Sequence, residues 1–315
     1  MRAGGLFCAT IHHMEHQSKP GKTTYSINDL DDTQELNLDD KNLSTLPEEI
    51  GQHTGLKSLS VYKNQLTGVP ESIWRLTDLE VLNLAGNKFD ALPESIGNLT
   101  KLRMLDAGHN KLTVLPRSLA KLVNLKFLYL SNNHLTSVAI ALESLQELIY
   151  LNITDNQLSA LPEDIGKLTK LIELRLYNNQ LKSLPNSIGE LTALRELHLI
   201  DNQLDSIPET IGKLKNLKKL MLQSNQIESV PDSLSGLSSL NDLDLRFNNL
   251  TFLPESIGNL KKLRFLDLRA NKLSSLPAST ANLKNLEKLD LRWNRFQSMP
   301  EWFAQLKERG CTIYT

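Results

Sequence analysis

The sequence repeats itself every 23 residues, and no insertion or deletion breaks the step. Starting from Asn179, the step lands on Asn64, Asn87, Asn110, Asn133, Asn156, Asn202, Asn225, Asn248, Asn271 and Asn294, with Lys41 as the substitute at the start. Starting from Pro185, it lands on Pro47, Pro70, Pro93, Pro116, Pro162, Pro208, Pro231, Pro254, Pro277 and Pro300, interrupted at Ala139. A strict period of this length marks a chain of stacked supersecondary units, each unable to bury its apolar face alone.

The stretch from Leu171 to Gly189 shows what one unit contains. Leu174 and Leu176 are two apart and share one face of a strand, while Glu173, Arg175 and Tyr177 share the other. Leu184, Ile188, Leu191 and Leu194 follow helical spacing. Pro185 suits the first helical position, where a missing N–H costs nothing. The acidic residue that often follows it, as at Glu94, Glu163 and Glu255, suits the positive end of a helix. The recurrent Asn stands where the chain leaves the strand, offering donors and an acceptor to backbone groups that a buried turn leaves unpaired. The expected fold is α/β: a solenoid with a parallel sheet on its concave side and short helices or 3-10 turns on the convex side.

The unit Leu171-x-x-Leu174-x-Leu176-x-x-Asn179-x-Leu181-x-x-Leu184-Pro185-x-x-Ile188-Gly189-x-Leu191 resembles a leucine-rich repeat, whose solenoids form horseshoes. The 23-residue L-P-x-x-I-G variety is similar to that of bacterial repeat proteins, plant intracellular Ras-group-related proteins and animal Ras-scaffold proteins. The resemblance implies a non-enzymatic scaffold that binds protein or peptide, in intracellular signalling, with a small GTPase as a candidate partner. A sensor, inhibitor or effector module in host–microbe signalling is the alternative, and an enzyme with an unrecognised site the second.

The register predicts a single solenoid over 27–314, of about twelve repeats. Ile27–Thr33 reads as the helical half of an incomplete first repeat that caps one end. Residues 1–26 are polar and read as a disordered leader. His12, His13 and His16 lack a fixed metal-binding geometry. The leader's other signals are weak: Leu6-Phe7-Cys8 is only faintly like a lipoprotein site, and Met14 is an alternative start. Pro20–Thr24 has the ending of a phosphate-binding loop, but His16 stands where the first glycine belongs. Leu125–Glu147 departs most from the pattern, with Ala139 for proline and Glu143 for glycine, and reads as a longer, more regular convex helix. Thr280 replaces an isoleucine and marks a local weak point. At the end, Cys311 and Ile313 are expected to face inward after a one-residue slip.

Charge and cysteine content narrow the function classes. A net charge of −1 without a long basic run argues against nucleic acid or an anionic membrane as partner. Cys8 and Cys311 lie at opposite ends, and the cysteine-rich caps usual in extracellular relatives are missing, which favours the cytoplasm. Nothing calls for a metal or small-molecule cofactor, and a monomer is expected. His109 and His198 fall about four strands, roughly 19 Å, apart, too far for an acid–base pair.

Recognition is expected on the outward strand positions. In the middle of the chain, Met104, Phe127, Tyr129 and Tyr150 project from three consecutive strands, with Tyr177 and Ile200 further along. These form a candidate binding patch, unless the rings merely stack on each other. Towards the C-terminus, L-D-L-R occurs three times, setting Asp244, Asp267 and Asp290 beside Arg246, Arg269 and Arg292, with Phe247, Phe265 and Trp293 close by. This second patch is either a self-neutralising charge network or a polar recognition site.

Overall fold

Three residues per repeat suffice to build the sheet. The computed structural model describes residues 34–138 and 142–315, apart from the Glu143 side chain. Within them, β1 (Glu35–Asn37) pairs in parallel with β2 (Ser58–Ser60), and β2 with β3 (Val81–Asn83). The same one-to-one pairing runs on to β12 (Lys288–Asp290), so the thirteen strands lie in sequence order in one sheet. Each pairing joins residues 23 apart, such as Leu174 with Leu197. The last does not: β13 (Thr312–Tyr314) pairs Ile313 with Leu289, which is the one-residue slip expected from the sequence.

The core follows the alternation. The middle strand leucines from Leu59 to Leu289 are buried, as is the next inward position from Val61 to Leu291. The outward residues of β7 (Glu173–Arg175) are only half-buried. Beyond each of the first eleven strands the chain loops through a short 3-10 turn, such as the one that buries Ile188 against the leucines. Ile27–Thr33 and the leader fall outside the described residues.

The 3-10 turns differ from the expected helices in two ways. Pro185 is not the first helical residue but the cap before it, extended at ψ 153°. Its carbonyl accepts the Ile188 N–H at 3.1 Å, so the proline is used as an acceptor and its missing N–H is incidental. The acidic residue that follows serves the neighbouring repeat: Glu94 accepts the N–H groups of Arg117 at 3.0 Å and Ser118 at 2.8 Å. Those bonds, the Ser118 N–H first among them, hold its carboxyl below the usual range. Among the described residues the longer helix expected after Leu125 is not found. Leu142–Ser144 is a single 3-10 turn, and residues 139–141 lie outside the described set.

Glycine recurs after the isoleucine because the next turn stacks onto it. A Cβ on Gly166 would stand 2.6 Å from the Ser187 carbonyl oxygen, and one on Gly189 would overlap that of Thr210. The C-terminal end is closed by α1 (Phe303–Glu308), which buries Phe303 and Leu306. Arg309 then donates to the Ala281 carbonyl at 2.8 Å. Cys311 is buried and free, and burial raises its thiol pKa, as suits a small apolar residue rather than a nucleophile.

Thr280 is the one flaw the sequence pointed to. It occupies the isoleucine position, fully buried, and its hydroxyl has no hydrogen-bond partner. Such a group costs about 1–3 kcal/mol. Thr280→Val keeps the shape and removes the hydroxyl, so urea unfolding should show a gain of about that size. Unchanged or lower stability would mean that the hydroxyl is paired.

Candidate functional site: the outward face of the sheet

Between each strand and the recurrent Asn, the chain takes one left-handed step. Asp40, Lys63, Gly86, His109, Asn132, Asp155, Asn178, Asp201, Ser224, Phe247, Ala270 and Trp293 all have φ between 51° and 67°. Glycine, Asp and Asn accept that conformation readily, and they fill six of these positions; a bulky side chain there is an outlier. Phe247 and Trp293 are therefore held at a conformational cost. Both also face solvent, at 45% and 66% exposure. The excess of Asp, Asn and Gly one residue before each ladder Asn was the sequence signal for this column, and the alternation argument passed over it.

The first candidate patch comes together as expected but is largely covered. Met104, Phe127 and Tyr150 are register partners on three neighbouring strands. Met104 is buried, whereas Phe127, Tyr129, Tyr150, Tyr177 and Ile200 are half-buried. The Tyr129 and Tyr150 rings pack 4.9 Å apart, and the Arg175 guanidinium lies 5.7 Å from the centre of the Tyr150 ring. Met104, at 8% exposure, therefore does not project freely.

The second patch carries a surprise in its acids. Alternation placed Asp244, Asp267 and Asp290 outward, yet Asp244 and Asp290 are buried. The arginines two residues on fold back over them. Arg246 Nε meets Asp244 Oδ2 at 3.1 Å; Arg269 grips Asp267 with Nε at 2.9 Å and Nη2 at 2.6 Å. Arg292 holds Asp290 with Nε at 2.9 Å and Nη2 at 2.7 Å, while Arg269 lies 3.5 Å from the same carboxylate. Each Asp also accepts a backbone N–H two residues on, as Asn83 and Asn152 do in earlier repeats. An asparagine would satisfy that bond equally, so the carboxylate charge is there for the arginine. Phe265 is half-buried beneath the Arg264 guanidinium, 5.2 Å from its centre.

The two buried acids titrate differently. Burial pushes Asp244 up to about 6, against the Arg246 N–H and guanidinium. Burial also acts on Asp290, but the bonds from Arg292 outweigh it and hold the carboxyl below its usual range. Midway along the sheet, Glu196 is held at about 2, chiefly by His198 and also by Lys219. Glu173, Glu196 and His198 are the one cluster among the described residues whose ligand atoms, within 4.8 Å of one another, could hold a metal. Arg175 already sits on Glu173 at 2.5 Å and Lys219 on Glu196 at 3.1 Å, so the cluster is neutralised by cations of the protein itself.

A family model described as a leucine-rich repeat region matches residues 71–177 and 137–251, together more than half of the chain. The chain is a leucine-rich repeat protein. Further leucine-rich repeat models match residues 32–89 and 285–306. Among solved structures, a leucine-rich repeat protein of Leptospira interrogans is 36% identical with a TM-score of 0.85, covering 92% of this chain and 74% of that one. An internalin from Listeria monocytogenes is 23% identical with a TM-score of 0.78, over 91% of this chain and 81% of that one, and shows the fold alone. The plant peptide hormone receptor RGFR1, solved in complex with RGF2, is 28% identical with a TM-score of 0.62. That likeness covers 89% of this chain and 54% of the receptor chain. No protein among the curated ones matches the sequence.

Asp244 supplies a test. A carboxyl whose pKa is raised by folding contributes stability that is complete below pH 3.8 and lost as pH rises through about 6. A shift of this size corresponds to about 3 kcal/mol. Asp244→Asn does not titrate, so the wild-type advantage over it should fall by about 2–3 kcal/mol between pH 3.5 and 7 in urea unfolding. Parallel stability profiles would contradict the assignment.

Proposed function

We propose that this chain is a non-enzymatic binding scaffold that receives a protein or peptide ligand on the outward, concave face of its sheet. One observation carries the reading. Along the sheet the inward strand positions are almost all leucine, while the outward positions change chemistry from strand to strand, as from Tyr129 through Asn152, Arg175 and His198 to Met221. Packing accounts for the first set. Structure alone makes no demand for the diversity of the second, and a surface that reads a partner does.

The plant receptor neighbour, solved with a peptide hormone, lends weight to a polypeptide ligand. A small GTPase partner and intracellular signalling belong to the proposal on the strength of the L-P-x-x-I-G resemblance alone, and a cytoplasmic setting on that of the cysteine content. The bacterial relative at 36% identity lends its weight to the microbial alternative instead.

A random twelve-residue peptide display library selected on the full chain tests the reading. Selected peptides should lose at least tenfold in affinity to one of two variants shown to be folded, Tyr129→Ala/Tyr150→Ala/Arg175→Ala in the middle of the sheet or Phe247→Ala/Trp293→Ala near its C-terminal end. They should bind a Val123→Ala variant, altered off the sheet face, as they bind wild type. The reverse pattern would overturn the proposal.

A further inference from the structure

Three exposed aromatic side chains gather at one end of the sheet, while Tyr62 stands alone near the other. Phe247, Trp293 and Tyr314 are all more than two-fifths exposed there, whereas the central tyrosines are half-covered. Phe247 and Trp293 stand two repeats apart in the left-handed column, and the residue between them is Ala270. Because Ala270 has only a methyl group, the two rings lean towards each other over it, with centroids 6.3 Å apart and planes 36° apart. Nothing in the fold requires a ring at these positions, since Asp, Asn and Ser serve in the same column elsewhere. A local conformational cost kept at an exposed aromatic pair points to use.

Beside this pair runs the arginine column, and its polarity decides what can dock. Two of the acids lie underneath: Asp244 and Asp290 are 7% and 0% exposed at their side chains, against 30% and 38% for Arg246 and Arg292, while Asp267 and Arg269 are nearly level at 18% and 17%. At the two outer pairs a ligand therefore meets guanidinium before carboxylate. Arg292 is also set between two rings, 5.8 Å from the Trp293 centroid and 5.1 Å from that of Tyr314, which orients it. Arg269 and Arg292 turn one edge to Asp267 and Asp290, which leaves further N–H groups for a second carboxylate. Strands about 4.8 Å apart spread the three arginines over roughly 10 Å, the length of about three residues of extended chain.

We infer that Phe247, Ala270 and Trp293, with Arg246, Arg269 and Arg292 beside them, form a docking surface for an extended acidic segment of a partner protein. The segment lays an apolar side chain over Ala270 and sets two carboxylates within three residues against the arginines. This deepens the proposed function and rests on it.

The test uses the full chain and three display pools of twelve-residue peptides. One draws on Asp, Glu, Phe, Trp, Leu and Gly; one replaces Asp and Glu by Lys and Arg; one replaces them by Ser and Asn. The acidic pool should enrich alone. A peptide from it should weaken as salt rises from 50 to 300 mM and should protect Trp293 from acrylamide quenching. It should lose at least tenfold in affinity to Phe247→Ala/Trp293→Ala. It should lose as much to Arg246→Gln paired with Asp244→Asn, which removes the cation without leaving a buried charge unpaired. Enrichment of the basic or neutral pool, or of none, overturns the acidic chemistry. Binding that survives Phe247→Ala/Trp293→Ala but is lost in Tyr129→Ala/Tyr150→Ala overturns this placement alone. Binding that survives both variants overturns the sheet-face reading as well.

Discussion

One side-chain amide per repeat joins each unit of this solenoid to the one before it. Asn179 donates to the Leu176 carbonyl of its own repeat at 3.0 Å and to the Ile153 carbonyl of the previous repeat at 2.9 Å. Its Oδ1 accepts the Leu158 N–H, also in the previous repeat, at 3.0 Å. The same bonds recur at Asn87, Asn133, Asn202, Asn248 and Asn271. A buried turn leaves both donors and acceptors unpaired, and an amide is the neutral side chain that serves both. The hydrophobic stack supplies the bulk of the stabilisation; the Asn ladder fixes its register.

With register held from inside, the outward face is bound by fewer packing demands than the leucines, and it diverges. Its middle and its C-terminal end differ in physical character. In the middle, Tyr129, Tyr150 and Arg175 pack on one another. Near the C-terminus, the arginines cover their aspartates and leave aromatic rings standing in solvent. Burying Asp290 is tolerable because two arginines serve it. Asp244 has the poorer arrangement and keeps its proton to higher pH.

What could be read from the sequence was whatever depends on the period. The 23-residue step placed every strand leucine and every ladder Asn, and the broken step at Arg309 and Gly310 placed the slipped last strand. What escaped depends on where the chain and its side chains turn in space. Pro185 reads locally as a first helical residue, and only the path of the chain makes it a cap. Glu94 reads as serving its own turn, whereas its carboxylate reaches Ser118, 24 residues on. Alternation assigns Asp290 to the outer face correctly, but burial there depends on Arg292 and Arg269 closing over it. Both candidate patches were visible as lists of residues. The weight passed to the second one through the left-handed φ of Phe247 and Trp293, which a pattern of polar and apolar residues does not encode.

The ladder is the claim on which the rest stands, and equilibrium unfolding of the full chain with Asn179 replaced tests it most directly. Asn179→Ala orphans the Leu158 N–H, strips one of two donors from the Ile153 and Leu176 carbonyls, which keep Asn156 and Asn202, and should cost about 1–3 kcal/mol. Asn179→Asp keeps the acceptor but turns the donor into an anion facing carbonyl oxygens, so it should cost more than the alanine. Wild-type stability in both variants would contradict the account.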